Sequence, residues 1–383
     1  MDELLPEMYI PDLTLPQALF DLEQDAGNEE AKAKIMAAVE KNGMVPFYTY
    51  VCERLGWDAD DQLVATLTKA NAAKLEAIDA DIAEAEKSEG EVEVRAHMER
   101  KALALVAMGD RTASLEAIDA TMEKTVGSGL KLDLVFLKAR LGLFYLDHVL
   151  LAGVLPEAAD LAEKGGDWER RNRLMAYQAV YNMSIRSFDK SSQLFLDTLA
   201  TFTSYELAPF ATYIRYAVIM GSLQLPRVDL QDKLMQSPDV LSVSKELGAA
   251  GDLLHALYEC KYAEFFVALA ALGDELAKDR YMHEHARFYC REMRIRAYNQ
   301  ILRSYRSVTM ESMAAQFGVT AEFIDRELSR FVASGRVHCS IDAVSGTIYT
   351  TRSDSKNSLY QQTIKQGDLL LNRVQKLSRV INL

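Results

Sequence analysis

Between about Asp12 and Arg306 the apolar residues of this chain recur almost everywhere at three- or four-residue spacing, and the runs are separated by turns of only two or three residues. That period belongs to helices with one buried face, and connections so short force each helix to fold back on the one before it. In "RAHMERKALALVAMGD" the stripe is Met98, Ala102, Leu105 and Val106, and Gly109-Asp110 ends the run. "TASLEAIDATMEKTV" then restarts it with Leu115, Ile118, Met122 and Val126, completing an antiparallel pair.

The same grammar returns in "YQAVYNMSIRSFDKSSQLFLDTLATF", with Phe188-Asp189-Lys190 as the turn, and in "GDLLHALYECKYAEFFVALAAL", with Cys260-Lys261-Tyr262. One such pair cannot cover its own apolar stripe, so consecutive pairs must stack. The fold expected is all-α: a right-handed array of degenerate tetratricopeptide-like repeats, with an undifferentiated helical bundle as the alternative. Stacked repeats present an extended curved surface of the kind that contacts other proteins. Gly165-Gly166, before "DWERRNR", is an inter-helix turn in either case. Nearer the start, "DDQLVATLTKANAAKLEAIDADIAEAEKSEGE" predicts one long helix with Leu63, Leu67, Ala70, Lys74 and Ile78 along one side.

Charge divides the chain in two. Of the net −13, residues 291–383 carry 14 Lys+Arg against 8 Asp+Glu, a balance of +6, which leaves −19 on residues 1–290. An acidic body repels polyanions, whereas the basic tail suits acidic partner surfaces. Cys52, Cys260, Cys290 and Cys339 form no Cys-x-x-Cys pair, which suits a reducing compartment and offers no zinc framework. No basic leader with an apolar run opens the sequence and no apolar stretch spans a bilayer, so cytoplasm and nucleus are the expected compartments, with no membrane partner.

The tail reads as a different module. "HARFYCREMRIRAYNQILRSY" brings Phe288, Ile295, Tyr298, Leu302 and Tyr305 to one side of a helix. Thr309 caps a short helix with Met310, Met313, Ala314 and Phe317 inward, and Gly318 stops it. Thr320 caps a third, whose core face is Ala321, Ile324, Leu328, Phe331 and Val332, closed by Gly335. "RVHCSI" and "TIYTT" follow as a hairpin around "DAVSG". Three helices and a small β-hairpin make a winged helix.

Such modules are best known for reading DNA, but the outward residues of the third helix include Glu322, Asp325 and Glu327 against Arg326 and Arg330, a local balance of −1, with no Asn or Gln for adenine. Nucleic acid is therefore not an expected partner. The unpaired edge of a two-stranded wing, with Val337, Cys339, Ile341, Ile348 and Tyr349, is instead a candidate protein contact. On the last segment, "SKNSLYQQTIKQGDLLLNRVQKLSRVINL", Leu370, Val374, Leu377 and Ile381 are spaced 4, 3 and 4 apart, a heptad-like seam on a long C-terminal helix. It either packs back on its own winged helix or joins helices of other chains; the second is the expectation here.

A helical array running into a winged helix resembles the PCI proteins of the proteasome lid, the COP9 signalosome and a translation-initiation factor complex. Within that group "PFYTYVCERLGW", "GGDWERRNRL", "LFLDTLATFTSYEL", "YECKYAEFF", "FGVTAEFIDRELSRFVASGRVHC" and "KQGDLLLNRVQKLSRVINL" are similar to a proteasome lid component. The likeness runs from about Val45 to Leu383 and is slight over residues 225–250. It implies a scaffold without chemistry of its own, supporting ubiquitin-dependent degradation. Its partners would be other PCI subunits of the lid, the lid deubiquitinase module through a bundle of C-terminal helices, and the ATPase ring of the base. The domains expected are an N-terminal helical segment (1–90), the repeats (91–290), the PCI winged helix (291–353) and an assembly helix (354–383). The alternatives are a related signalosome subunit and a winged-helix nucleic-acid binder.

No enzyme motif competes with this reading. His283 and His285 form the one His-x-His, but the zinc-deubiquitinase pattern needs Ser and Asp where Met293 and Arg296 stand. HExxH and the phosphate-binding Gly-x4-Gly-Lys-Ser/Thr do not occur, and "VGSGLK" lacks the latter's spacing. No catalytic residue, cofactor or metal is expected.

Overall fold

The computed structural model describes residues 9–88, 90–351 and 355–381. Contacts divide the chain into two compact units: one runs to Tyr258 and resumes over Ala268–Tyr289, the other comprises Glu259–Val267 and Cys290 onward.

The first unit is helical. α1 (Thr14–Gln24), α2 (Glu29–Asn42) and α3 (Val45–Leu55) precede the 28-residue α4 (Asp61–Ser88). Three pairs follow: α5 (Glu91–Met108) with α6 (Arg111–Lys124), α7 (Ser128–Tyr145) with α8 (His148–Gly165), and α9 (Trp168–Ser184) with α10 (Phe188–Thr198). α11 (Phe210–Gln224), α12 (Arg227–Leu230), α13 (Pro238–Ser242) and α14 (Ala249–Glu259) continue the run, and α15 (Tyr262–Ala277) and α16 (Ala286–Ser304) each contribute residues to both units. No helix among the described residues is long and apolar enough to cross a membrane.

The turns within pairs share one construction. The first helix ends on a left-handed residue, Gly109 (φ 77°), Leu146 (φ 51°), Arg186 (φ 62°) or Cys260 (φ 62°), and the next position opens the following helix. Asp110 accepts from the Ala113 N–H, and Asp147 from the N–H groups of Val149 and Leu150. This moves the expected turn at Phe188-Asp189-Lys190 back to Ile185-Arg186-Ser187, because Arg186 takes the left-handed conformation and Phe188 is already helical and buried.

Successive pairs interlock. Ala102 and Val106 of α5, Ile118 of α6 and Leu134, Leu137 and Leu141 of α7 form one buried cluster. Every residue of α7 from Leu134 to Phe144 is buried, so Lys138 and Arg140 go in with them; Lys138 bonds Asp119. Val126 departs from its expected stripe: α6 ends at Lys124, and Val126 is 93% exposed while Thr121 and Thr125 are buried. The covered side of α4 also turns away from Ala70 and Lys74, both exposed, to Leu67, Asn71, Leu75, Ile78, Ile82 and Ala85. Asn71 donates to the Gly43 carbonyl at 2.6 Å, a fixed point that sets this rotation.

The array closes on itself locally. Gln17 of α1 donates to the Lys278 carbonyl at 2.9 Å and accepts from the Arg280 N–H at 3.1 Å, and Phe20 packs on His283 with ring centroids 4.6 Å apart. Arg280, buried, gives its guanidinium to the carbonyls of Leu143 and Phe144 at the end of α7, where a cation complements the helix dipole.

Candidate functional site

The second unit is built on α16. After it come β1 (Ser307–Thr309), α17 (Met310–Phe317), α18 (Ala321–Ala333), β2 (Cys339–Asp342), β3 (Thr347–Thr350) and α19 (Ser355–Ile381). The expected caps are in place: Thr309 accepts from the Ser312 N–H, Thr320 from the Phe323 N–H, and Gly318 takes φ 66° at the end of α17. Tyr298, Phe317 and Phe331 form an aromatic core with Tyr262 and Phe266, whose rings lie 4.8 and 5.1 Å from that of Phe317. Those contacts are why Glu259–Val267, placed in the repeats by spacing, belongs with this unit. Tyr305, expected on the covered side of α16, is 45% exposed, whereas Ile301 and Leu302 are buried.

Glu327 corrects the DNA test in detail without reversing it. It points inward, accepting the Tyr298 hydroxyl at 2.8 Å and pairing with Arg294 at 3.1 Å. Burial, reinforced by the carboxylate, raises the Tyr298 phenol far above its ordinary value. The exposed face of α18 then carries Glu322 and Asp325 against Arg326 and Arg330, still without a surplus of cations.

The wing differs from the expectation in one consequential way. The sheet has three strands in the order β1-β3-β2, both pairings antiparallel, with Val308, Ile348 and Ile341 in one row across it. β3 is central, so Ile348 and Tyr349 do not lie on an edge. Ile348 is fully buried, Val337 and Cys339 are buried, Ile341 is half-buried and Tyr349 is 48% exposed on the outer face. Only the outer side of β2, with Cys339 and Ile341, remains as the edge the sequence pointed to. Burial raises the Cys339 thiol above its usual value, which keeps it protonated and inert. β1 was missed because three residues give almost no periodicity; the β-branched pair in Ser307-Val308-Thr309 was the available signal.

α19 is the other candidate. From Leu359 to Ile381 each of its residues is exposed, Leu370 at 66%, Val374 at 56%, Leu377 at 63% and Ile381 at 72%. Packing of that seam onto its own winged helix, the alternative open at the sequence level, is not what the structure has. At 100° per residue, Leu359 continues the seam toward the start of the helix, while Ile364 and Leu371 widen it on one flank and Val380 on the other. A strict two-helix seam is narrower; a stripe this wide fits a helix with more than one neighbour.

His283 and His285 sit in a 3-10 turn and are held structurally, His283 by the Arg280 carbonyl at 3.0 Å and His285 by the Ser184 carbonyl at 2.8 Å. Among the described residues no group of three or more His, Cys, Asp or Glu is placed to hold a metal ion.

A winged helix fed by a helical array, with an exposed amphipathic helix after it, defines the class: the PCI domain model matches residues 269–352. Two further models describe "26S proteasome subunit RPN7" over residues 60–233 and "26S proteasome regulatory subunit RPN7/PSMD6 C-terminal helix" over residues 360–381. The chain is 48% identical to 26S proteasome non-ATPase regulatory subunit 6 of Dictyostelium discoideum over 384 residues, covering 100% of both chains. It is 44% identical to the Arabidopsis thaliana homolog of that subunit (97% of each) and 33% to regulatory subunit RPN7 of Saccharomyces cerevisiae (96% of this chain, 91% of the relative). The chain belongs to the family of 26S proteasome non-ATPase regulatory subunit 6, also called Rpn7. The full-length match extends the likeness across residues 1–44 and 225–250, where the motifs alone had shown little.

Proposed function

We propose that this chain is a non-catalytic scaffold of the proteasome regulatory-particle lid, acting in cytoplasm and nucleus to hold the lid together for ubiquitin-dependent degradation. The observation that carries the reading is the wide apolar stripe of α19, exposed along its length and matched by a family-specific helix model. Its burial requires helices of other chains, and the lid's PCI subunits and deubiquitinase module supply them. The β2 edge serves side-by-side contact between winged helices, and the helical array reaches towards the ATPase ring. Relatives named as proteasome subunits favour the lid over the signalosome, and the uncharged balance on α18 disfavours nucleic acid.

Native purification of the tagged chain from its own cells, followed by sizing and a peptidase assay, tests this. Co-migration with a megadalton, peptidase-active particle is expected. A smaller particle that removes ubiquitin-like modifiers from cullins would overturn it in favour of the signalosome, and a free chain that binds DNA in a salt-dependent manner would overturn it in favour of the nucleic-acid reading.

A further inference from the structure

A cavity of about 400 Å³ lies inside the first unit, between α1, α3, the junction of α7 with α8, and residues 280–284. Phe20, Tyr50, Phe144 and Tyr145 give it aromatic walls, with the Tyr50 and Tyr145 rings edge to face at 5.6 Å. Arg280 lines it as well and is only 9% exposed. The groups whose charges its guanidinium feels, Tyr281, Tyr50, Arg54 and Glu23, all line the same cavity, which places that guanidinium on the cavity side.

A buried cation needs a counter-charge, and this one has only part of it. Arg280 donates to the Leu143 carbonyl at 3.0 Å and the Phe144 carbonyl at 2.6 Å, and a guanidinium has further N–H donors beyond those. The end of α7 supplies about half a negative charge through the helix dipole. Among the described residues no carboxylate pairs with Arg280 to supply the rest: Glu23 is held by Arg54 at 2.8 Å, and Glu284, also in the lining, is exposed to solvent. Burial accordingly lowers the Arg280 guanidinium below its ordinary value. An anion entering the cavity would recover the cost of this partly unbalanced charge, and the planar fork of a guanidinium matches a carboxylate or a phosphate.

We infer that this cavity binds a small aromatic anion, its carboxylate or phosphate on Arg280 and its ring among the aromatic walls. The volume falls within the range of small-molecule sites, and a few placed polar groups in an aromatic lining are what such sites use for orientation. A ligand held there touches α1, α3, the α7–α8 junction and residues 280–284 at once, so binding also stabilises the closure of the array.

The test uses the purified full-length chain and probes that share one ring: phenyl phosphate, benzoate and neutral benzyl alcohol. Calorimetric titration is expected to show one of the anions binding at least about tenfold more tightly than benzyl alcohol, the tighter anion naming the headgroup. That anion should also raise the thermal midpoint. Inorganic phosphate and acetate, which lack the ring, should bind at least about tenfold more weakly than phenyl phosphate and benzoate. Binding of neither aromatic anion, equal binding of benzyl alcohol, or equal binding of the ringless anions overturns the proposal. Arg280→Met should abolish the preference for an anion. Because Arg280 also holds the end of α7, His148→Trp is the second variant: His148 is an exposed residue of the lining, so the larger ring narrows the cavity and leaves the Arg280 bonds in place. Circular dichroism confirms the fold of each variant; if Arg280→Met does not fold, unchanged affinity in His148→Trp overturns the proposal.

Discussion

Replacing Leu370 and Leu377 of α19 with aspartate isolates assembly from folding. Both side chains are about two-thirds exposed within the chain, so the array and the winged helix lose no contact when they change. In a bundle each leucine would bury that exposed part, worth about 1–2 kcal/mol, and an aspartate in its place adds a desolvation cost of at least about 2 kcal/mol. The pair together should weaken incorporation by about 6 kcal/mol or more, roughly ten-thousand-fold in the equilibrium constant. Asn372→Asp is the matched control: it is exposed and lies on the opposite side of the helix from the seam, and should cost little. Quantitative recovery of each tagged variant in the lid, beside circular dichroism and thermal unfolding of the isolated chain, reads both effects. Normal incorporation of L370D/L377D, or an equal defect in N372D, would refute the seam.

Other consequences follow from the interior. Glu206→Ala should destabilise the first unit by about 3–5 kcal/mol in denaturant unfolding, since Arg173 loses its buried carboxylate. Thr320→Ala removes the bond to the Phe323 N–H and should lower the stability of the winged helix by about 1 kcal/mol. Gly318→Ala should cost about 1–2 kcal/mol, because φ is 66° there while the added methyl would meet only Ala263 at an ordinary 3.5 Å. Burial raises the phenols of Tyr177, Tyr213, Tyr216 and Tyr298 above the ordinary value near 10. A folded-state pKa above the unfolded one gives stability that is complete below about pH 10 and is lost as pH rises beyond it. Ultraviolet titration should therefore show these phenols ionising only together with loss of helical signal; reversible ionisation in the folded chain would contradict their burial.

What the sequence determined is what a few neighbouring residues decide. Helical spacing placed the pairs, Thr309 and Thr320 marked caps, Gly318 marked a stop, and the 4-3-4 rhythm of Leu370 to Ile381 drew the seam, because each is local chemistry of backbone and side chain. The misplaced details needed more distant partners. Asn71 reaching Gly43 rotates α4, and pairing with β1 turns β3 from an edge into the middle of a sheet. Only the tertiary structure brings Phe20 of α1 and Tyr50 of α3 to the same cavity as Arg280, since positions so far apart meet through packing and leave no periodic trace in the chain. Exposure of the seam was likewise decided by the fold: the stripe was legible, but whether anything in the same chain covers it depends on every surface it could have met.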